Sequence, residues 1–177
     1  IPNPENNRGQ ENEARCRGVR PARRRRRDRC LTNPRFFYGF GVSSRYEVVT
    51  IGSHNGQKGH AEIFEIARKI NLKNIHFTII ANRNWKSPCY WSCKLKEIFF
   101  NLFNAKKKVS VVSLSRPEVI SCLKQADLFL FASNIECSPL VLFEAIEAGV
   151  FFLSSDVGNA REIAERSGGG EIIKTKT

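Results

Sequence analysis

One lysine and two glutamates are the residues whose types and spacing could carry chemistry. Lys58 stands in a loop of small polar residues over 52–59, and Glu136 and Glu144 are separated by seven residues. Glycines let a backbone approach a diphosphate closely, and ionised carboxylates accept paired hydrogen bonds from vicinal diols. Together these residues predict a ligand that carries both phosphate and sugar hydroxyls. A plain turn with a solvated lysine is the alternative interpretation of the loop.

The residues between the two glutamates predict the start of a helix. Ser138 and Pro139 suit the cap and the first turn, which leaves Glu136 in a loop and places Glu144 inside the helix. Because helical side chains lean toward the N-terminus, the Glu144 carboxylate can reach a ligand over the helix start. Taken singly, each glutamate is equally compatible with an ordinary first-turn or solvent-facing residue.

Apolar runs alternate with segments of helical period from residue 41 onward. Runs such as 77–80 and 128–131 are continuously apolar, as expected for strands that helices cover on both faces. We therefore predict an α/β, Rossmann-like, doubly wound parallel sheet of about six strands, with one of its helices over 92–104. In such a fold the ligand crevice lies at the carboxyl ends of the strands, so the loops after the first and fourth strands are the places to look.

The first 40 residues differ from the rest. They show no apolar periodicity and contain five consecutive arginines at 23–27, which contribute to a formal net charge of +12. We predict a basic, poorly ordered linker or arm over 1–40 and one folded domain over 41–177. An arm for anionic membranes or nucleic acid is the alternative, although no aromatic residues interleave the arginines for base stacking.

Composition also bounds the location of the protein. No stretch approaches the ~20 apolar residues of a membrane-spanning helix, and the first residues do not form a signal peptide. We expect a cytoplasmic protein, with peripheral contact at the inner membrane face as an alternative. The chain contains no Met, from which we expect a fragment of a longer protein.

Six cysteines are expected to be free thiols, as is usual in a cytoplasmic α/β domain. Cys89 and Cys93 have a looser spacing than a usual zinc knuckle, and a tetrahedral site would need Cys16 and Cys30 or a histidine to complete it. Structural or loop cysteines are the favoured interpretation, so no metal is expected.

The three histidines have ordinary explanations as a loop residue (His54), a first-turn helix residue (His60) and a strand-start residue (His76). His54 alone is kept as a candidate ligand contact, because it lies on the crevice loop.

From residue 49 to about 175, the chain resembles the C-terminal domain of retaining family 4 (group 1) glycosyltransferases of the GT-B fold. The order and spacing of several short motifs carry the resemblance. These motifs are Lys58-Gly59 in its loop, Ala126-Asp127-Leu128, the pair Glu136 and Glu144, Ala148-Gly149, the segment 156–162 and the glycines at 168–170.

The resemblance implies a role for each matching residue. Lys58 would contact the donor phosphate, Glu136 the donor-sugar hydroxyls as the candidate catalytic residue, and Glu144 the ribose. The other implied donor contacts are Gly52, Ser53, His54, Ser138, Pro139, Leu140 and Val141, and the implied base contacts are Ser113, Leu114 and Arg116. The substrate would be a UDP- or GDP-sugar, with no metal and no cofactor.

The implied reaction is retaining transfer of a sugar from this donor to an acceptor, in glycan, polysaccharide or glycolipid biosynthesis. The implied partner is an N-terminal acceptor-binding domain, which this chain lacks, so that the chain alone would bind donor and transfer little. Ser53 stands where family members commonly have arginine. Two alternatives remain open: a catalytically silent relative that serves assembly at a membrane surface, and, less favoured, a nucleic-acid-binding module that uses the arginine run.

Overall fold

The computed structural model describes residues 45–173, in which strands and helices alternate. The expected basic arm over 1–40 lies outside the described residues. The strands are β1 Tyr46–Ile51, β2 Ile75–Ile80, β3 Lys107–Val112, β4 Leu128–Phe131, β5 Phe152–Ser155 and β6 Gly170–Ile173. The helices are α1 His60–Lys69, α2 Pro88–Phe103, α3 Arg116–Gln125, α4 Leu140–Ala148 and α5 Ala160–Ser167.

The six strands form one parallel sheet in the order β3-β2-β1-β4-β5-β6, which confirms the predicted Rossmann-like fold. Val48 of β1 pairs with Phe77 on one side and with Leu128 on the other. The strand order reverses between β1 and β4, so the loops after these two strands diverge to opposite faces of the sheet. A crevice opens between them at the carboxyl ends of the strands.

The sheet is buried on both faces, and neighbouring residues of one strand belong to different cores. Val48 packs in a core covered by α1 and α2, whereas Val49 packs in a core covered by α3, α4 and α5. Phe77 anchors the first core and Phe129 the second, and burial of each such side chain stabilises the fold by about 1.5–3 kcal/mol. This two-sided burial explains why the strands read as continuous apolar runs.

Helix α2 begins at Pro88, four residues before the predicted start at 92. Ser87 is its N-cap and Pro88 occupies the first turn, which is a common helix start. The earlier start gives α2 an extra turn, which places Cys89 on the helix one turn before Cys93. The opposite side of α2 carries an exposed apolar stripe: Trp91, Leu95, Ile98, Phe99 and Leu102. Within 45–173, no helix has the length and apolar character to cross a bilayer.

Gly59, immediately before α1, makes the closest backbone approach at the crevice. It adopts a left-handed conformation with φ of 66°, and a Cβ atom placed on it would lie 1.8 Å from the carbonyl oxygen of Ala132. Only glycine allows the loop after β1 to lie against the loop after β4 in this way.

We expect Gly59→Ala to destabilise the domain more than Gly149→Ala does. Gly149 also has a positive φ, of 77°, but an added Cβ there meets no atom within 4 Å. Gly149→Ala should therefore cost only the backbone strain of about 1–2 kcal/mol, whereas Gly59→Ala adds a clash with backbone. Urea denaturation measures both free energies of unfolding, and equal losses would contradict the close packing at Gly59.

Candidate functional site

A cavity of about 550 Å³ lies at the carboxyl ends of the strands, on the side of the sheet where α4 begins. The predicted site residues that line it are Gly52, Ser53, Lys58, Ser113, Leu114, Glu136, Ser138, Pro139, Leu140 and Val141. They come from the loops after β1, β3 and β4 and from the first turn of α4. The structure therefore brings together most of the predicted site, but His54, Glu144 and Arg116 do not line this cavity.

Lys58 and Glu136 form an ion pair at the wall of the cavity. The two side chains are 22% and 17% exposed, so the pair is partly shielded from water. Glu136 also accepts a hydrogen bond of 3.1 Å from the hydroxyl of Ser133, which is fully buried. The pair holds a cation and an anion in place beside the cavity, where each could exchange its partner for an oppositely charged or hydroxyl-bearing ligand group.

Hydrogen bonds between the loops after β1 and β4, and from the end of β5, fix the position of this pair. The N–H group of Asn134 donates to the carbonyl of Gln57 at 2.8 Å. On the other side, the Ser155 hydroxyl at the end of β5 donates to the carbonyl of Ser133 at 2.5 Å. The residues before Lys58 and before Glu136 are thus bonded to one another and to the sheet.

The N-terminus of α4 faces the same cavity. The helix begins at Leu140 with Pro139 as its N-cap, one residue later than the predicted start. Ser138 does not serve as the N-cap; it lines the cavity instead. The first-turn N–H groups have no acceptors within the helix and carry partial positive charge, which suits an anionic group such as a diphosphate.

Glu144 is held by Arg116 rather than facing the cavity directly. Nη1 and Nη2 of Arg116 donate to the two carboxylate oxygens at 2.9 and 2.8 Å, a paired geometry that joins the start of α3 to α4. These hydrogen bonds with Glu144 raise the pKa of Arg116 above its usual value. Arg116, predicted as a base contact, thus acts in the described structure as the partner of Glu144.

Asn82 is a cavity-lining residue that the sequence analysis missed. It follows β2, and its side-chain oxygen accepts a hydrogen bond of 3.3 Å from the backbone N–H of His54. No sequence motif surrounds this asparagine. It can be identified as a cavity residue only from the pairing of β1 with β2 in the sheet.

The side chain of His54 is buried and does not line the cavity. It lies with His60, Cys89 and Cys93 in a group that we call the His–Cys cluster. Burial, followed by the charge of Lys94, lowers the pKa of His54. Burial also lowers the pKa of His60 to about 4 and raises the pKa of Cys93 to about 12, so His60 is neutral and Cys93 is a thiol near neutral pH.

Comparison with known proteins identifies the family of this chain. Residues 41–177 match the family model described as glycosyl transferases group 1. Over 55 residues the chain is 34% identical to WcaC of Escherichia coli (strain K12), named as a colanic acid biosynthesis glycosyl transferase. That match covers 31% of this chain and 14% of WcaC.

Two solved structures are similar in fold. Sucrose-phosphate synthase from Thermosynechococcus elongatus has a TM-score of 0.61 at 17% identity, covering 77% of this chain and 34% of that one. An α,α-trehalose-phosphate synthase (UDP-forming) from Burkholderia vietnamiensis has a TM-score of 0.60 at 14% identity, covering 73% and 34%. This chain thus spans about a third of their length. Because the family model matches most of the chain and the fold agrees, the chain belongs to the group 1 glycosyl transferases of the GT-B fold.

Proposed function

We propose that the cavity binds the nucleotide-diphosphate sugar of a retaining glycosyl transfer reaction, and that the domain is the donor-binding part of the enzyme. The observation that carries this proposal is the meeting of Lys58, Glu136 and the N-terminus of α4 around one cavity. Its volume of about 550 Å³ is within the usual range for small-molecule sites. Membership of the glycosyl transferase family supports the same reading.

The charges of the cavity suit the departure of a nucleoside diphosphate. When the bond between the anomeric carbon and the phosphate oxygen breaks, its electron pair stays on the diphosphate. Lys58 and the first-turn N–H groups of α4 stabilise that negative charge. The acceptor oxygen bonds to the anomeric carbon and releases its proton, so the products are the glycoside, the nucleoside diphosphate and one proton.

On donor binding, Lys58 and Glu136 would exchange each other for groups of the donor. Lys58 turns from the carboxylate to the phosphate, which leaves Glu136 free to accept hydrogen bonds from the sugar hydroxyls. Glu136 then lies beside the carbon on which positive charge develops, where an anion stabilises the transition state. Ser133 keeps the carboxylate in place throughout, because its hydroxyl bonds the same oxygen that faces Lys58.

The remaining part of the cavity would hold the nucleoside. Ser113 and Leu114 line the cavity where the base would lie. The ribose would extend beyond the cavity lining to Glu144, whose carboxylate is oriented by Arg116. Lining by Leu140 and Val141 adds apolar contact at the start of α4. Uracil is the base that we propose, because the trehalose-phosphate synthase similar in fold is named as UDP-forming.

The biosynthetic role of the reaction is proposed from a relative alone. The name of WcaC supports a role in the biosynthesis of a polysaccharide. The acceptor-binding domain, the cytoplasmic location, peripheral membrane contact and the nucleic-acid alternative stay predictions, and the arginine run that motivates the last two lies outside the described residues.

Lys58→Ala should weaken UDP binding about tenfold or more, because a charge-assisted hydrogen bond to phosphate is lost. Lys73→Ala is the matched control, since Lys73 is exposed and outside the cavity. Calorimetric titration of both variants with UDP, GDP and ADP measures the effect and tests the choice of base. Equal affinity for UDP in the two variants would show that Lys58 does not contact the phosphate. No binding of any nucleotide to the parent chain would refute the proposed function.

Glu136→Gln should weaken binding of the donor sugar without weakening binding of the nucleotide. The substitution releases Lys58 from its ion pair, so UDP should bind as tightly as to the parent chain or more tightly. UDP-glucose and other UDP-sugars should bind more weakly relative to UDP, because a neutral amide is a poorer partner for sugar hydroxyls. Titration with UDP and with a panel of UDP-sugars gives this ratio. A parallel loss for UDP and UDP-sugars would assign Glu136 a structural role only.

Glu144→Ala should weaken UDP binding while leaving pyrophosphate binding unchanged, because its proposed partner is the ribose. Arg116→Ala should show part of the same loss, since it leaves the carboxylate without its paired donor. If Arg116 acts through Glu144, the double variant should bind UDP no more weakly than Glu144→Ala alone. Additive losses would instead indicate that Arg116 contacts the nucleotide itself.

A further inference from the structure

The His–Cys cluster lies beside the donor cavity but takes no part in it. His54 belongs to the loop after β1, His60 is the first residue of α1, and Cys89 and Cys93 are one turn apart on α2. Three of the four side chains are buried and Cys89 is half-buried. The cluster therefore joins three separate parts of the chain within the core.

The ligand atoms of the four side chains lie close together. The Cys93 sulfur lies 3.6 Å from Nδ1 of His60, and the Cys89 sulfur lies 3.7 Å from Nδ1 of His54. The two sulfurs are 3.9 Å apart, as are the Cys89 sulfur and Nδ1 of His60. All four ligand atoms lie within 4.8 Å of one another.

These distances approach those of a tetrahedral metal site. Zinc bonds of about 2.3 Å to sulfur and about 2.0–2.1 Å to nitrogen put neighbouring ligand atoms about 3.4–3.8 Å apart. The cluster needs movements of only a few tenths of an ångström to reach this geometry at the measured pairs. It also contains the two ligand types, thiolate and imidazole, that zinc prefers.

Ordinary packing does not account for the cluster. Two thiols and two imidazoles converge here, and a thiol is a weak hydrogen-bond donor that satisfies an imidazole nitrogen poorly. A cation at the centre would give all four inner atoms a strong partner, and both cysteine thiols would ionise on binding it.

We propose that His54, His60, Cys89 and Cys93 bind one zinc ion in a tetrahedral structural site. Four protein ligands leave no open position for water or substrate, which is typical of structural rather than catalytic zinc. Two histidines thus supply the ligands that the sequence left open for Cys89 and Cys93, in place of Cys16 and Cys30. Cysteines interpreted from sequence as merely structural thereby become metal ligands.

The groups around the cluster already hold its ligands in position. The Ser87 hydroxyl, at the cap of α2, donates to the carbonyl of His54 at 2.7 Å, and Asn82 accepts the His54 N–H. The ring of Tyr90 meets the ring of His54 edge to face, with centroids 5.3 Å apart. Such supporting contacts orient metal ligands before the metal arrives.

The metal would also restrain the donor cavity. His54 and His60 flank Lys58 along the chain, so a bound ion would tie both ends of the phosphate loop to α2. This consequence rests on the proposed function, whereas the metal site itself does not. Zinc binding should therefore raise the thermal stability of the whole domain and tighten UDP binding.

The test uses the full 177-residue chain, stripped by a chelator that is then removed, kept reduced by a phosphine rather than a thiol, and titrated with Zn²⁺ or Co²⁺. We expect uptake of one ion per chain, a higher melting temperature with Zn²⁺, and tetrahedral d–d bands with a thiolate charge-transfer band for Co²⁺. Absence of stoichiometric uptake, or a Co²⁺ spectrum without thiolate ligation, overturns the proposal.

Two alanine variants locate the site. Cys93→Ala should lose stoichiometric uptake and the thiolate band, whereas Cys122→Ala should retain both, because Cys122 lies outside the cluster in the other core. If Cys93→Ala fails to fold, the Co²⁺ spectrum of the parent chain and the metal content of Cys122→Ala still decide the question. Retention of the thiolate band in folded Cys93→Ala would overturn the assignment of the ligands.

The UDP titration distinguishes this proposal from the donor site. Metal uptake with no UDP binding by either the stripped or the zinc-loaded chain supports the zinc site and refutes the donor site. UDP binding without metal uptake supports the donor site and refutes the zinc site.

Discussion

The contact between the loops after β1 and β4 is the constraint on which the rest of the site depends. Gly59 lies so close to the Ala132 carbonyl that no side chain fits between them. The contact sets the distance between the two loops, and hence lets Lys58 reach Glu136 across the crevice. Two loops that the sheet order sends apart are in this way brought to one wall of a cavity.

Much of the fold and the charged centre of the cavity could be predicted from the sequence, because local patterns encode them. Strands that are buried on both faces have continuously apolar sequences, and the strand order places the loops after β1 and β4 at the crevice. Lys58 and Glu136 lie in those loops. Topology therefore places both residues at the crevice, and the contact at Gly59 brings them together.

Other features could not be predicted, since they depend on which elements become neighbours. His54 was placed at the ligand because its loop faces the crevice, yet its side chain turns into the core toward Cys89. The pairing of Arg116 with Glu144 required the relative position of α3 and α4, which no local pattern encodes. The start of α2 differs from these features, because Ser87 as N-cap and Pro88 in the first turn encode it locally, one turn before the predicted start at 92.

The segment from Gly52 to His60 belongs to two centres at once. One side of it presents Lys58 to the cavity, and the other buries His54 and His60 against α2. Ordering this segment costs conformational entropy whichever centre is filled first. A ligand that orders it at one centre leaves less to be ordered at the other, so zinc and nucleotide would favour each other's binding with one shared coupling free energy. The two histidines have no role of their own in sugar transfer, but through the metal they would restrain the loop that carries the phosphate-binding lysine.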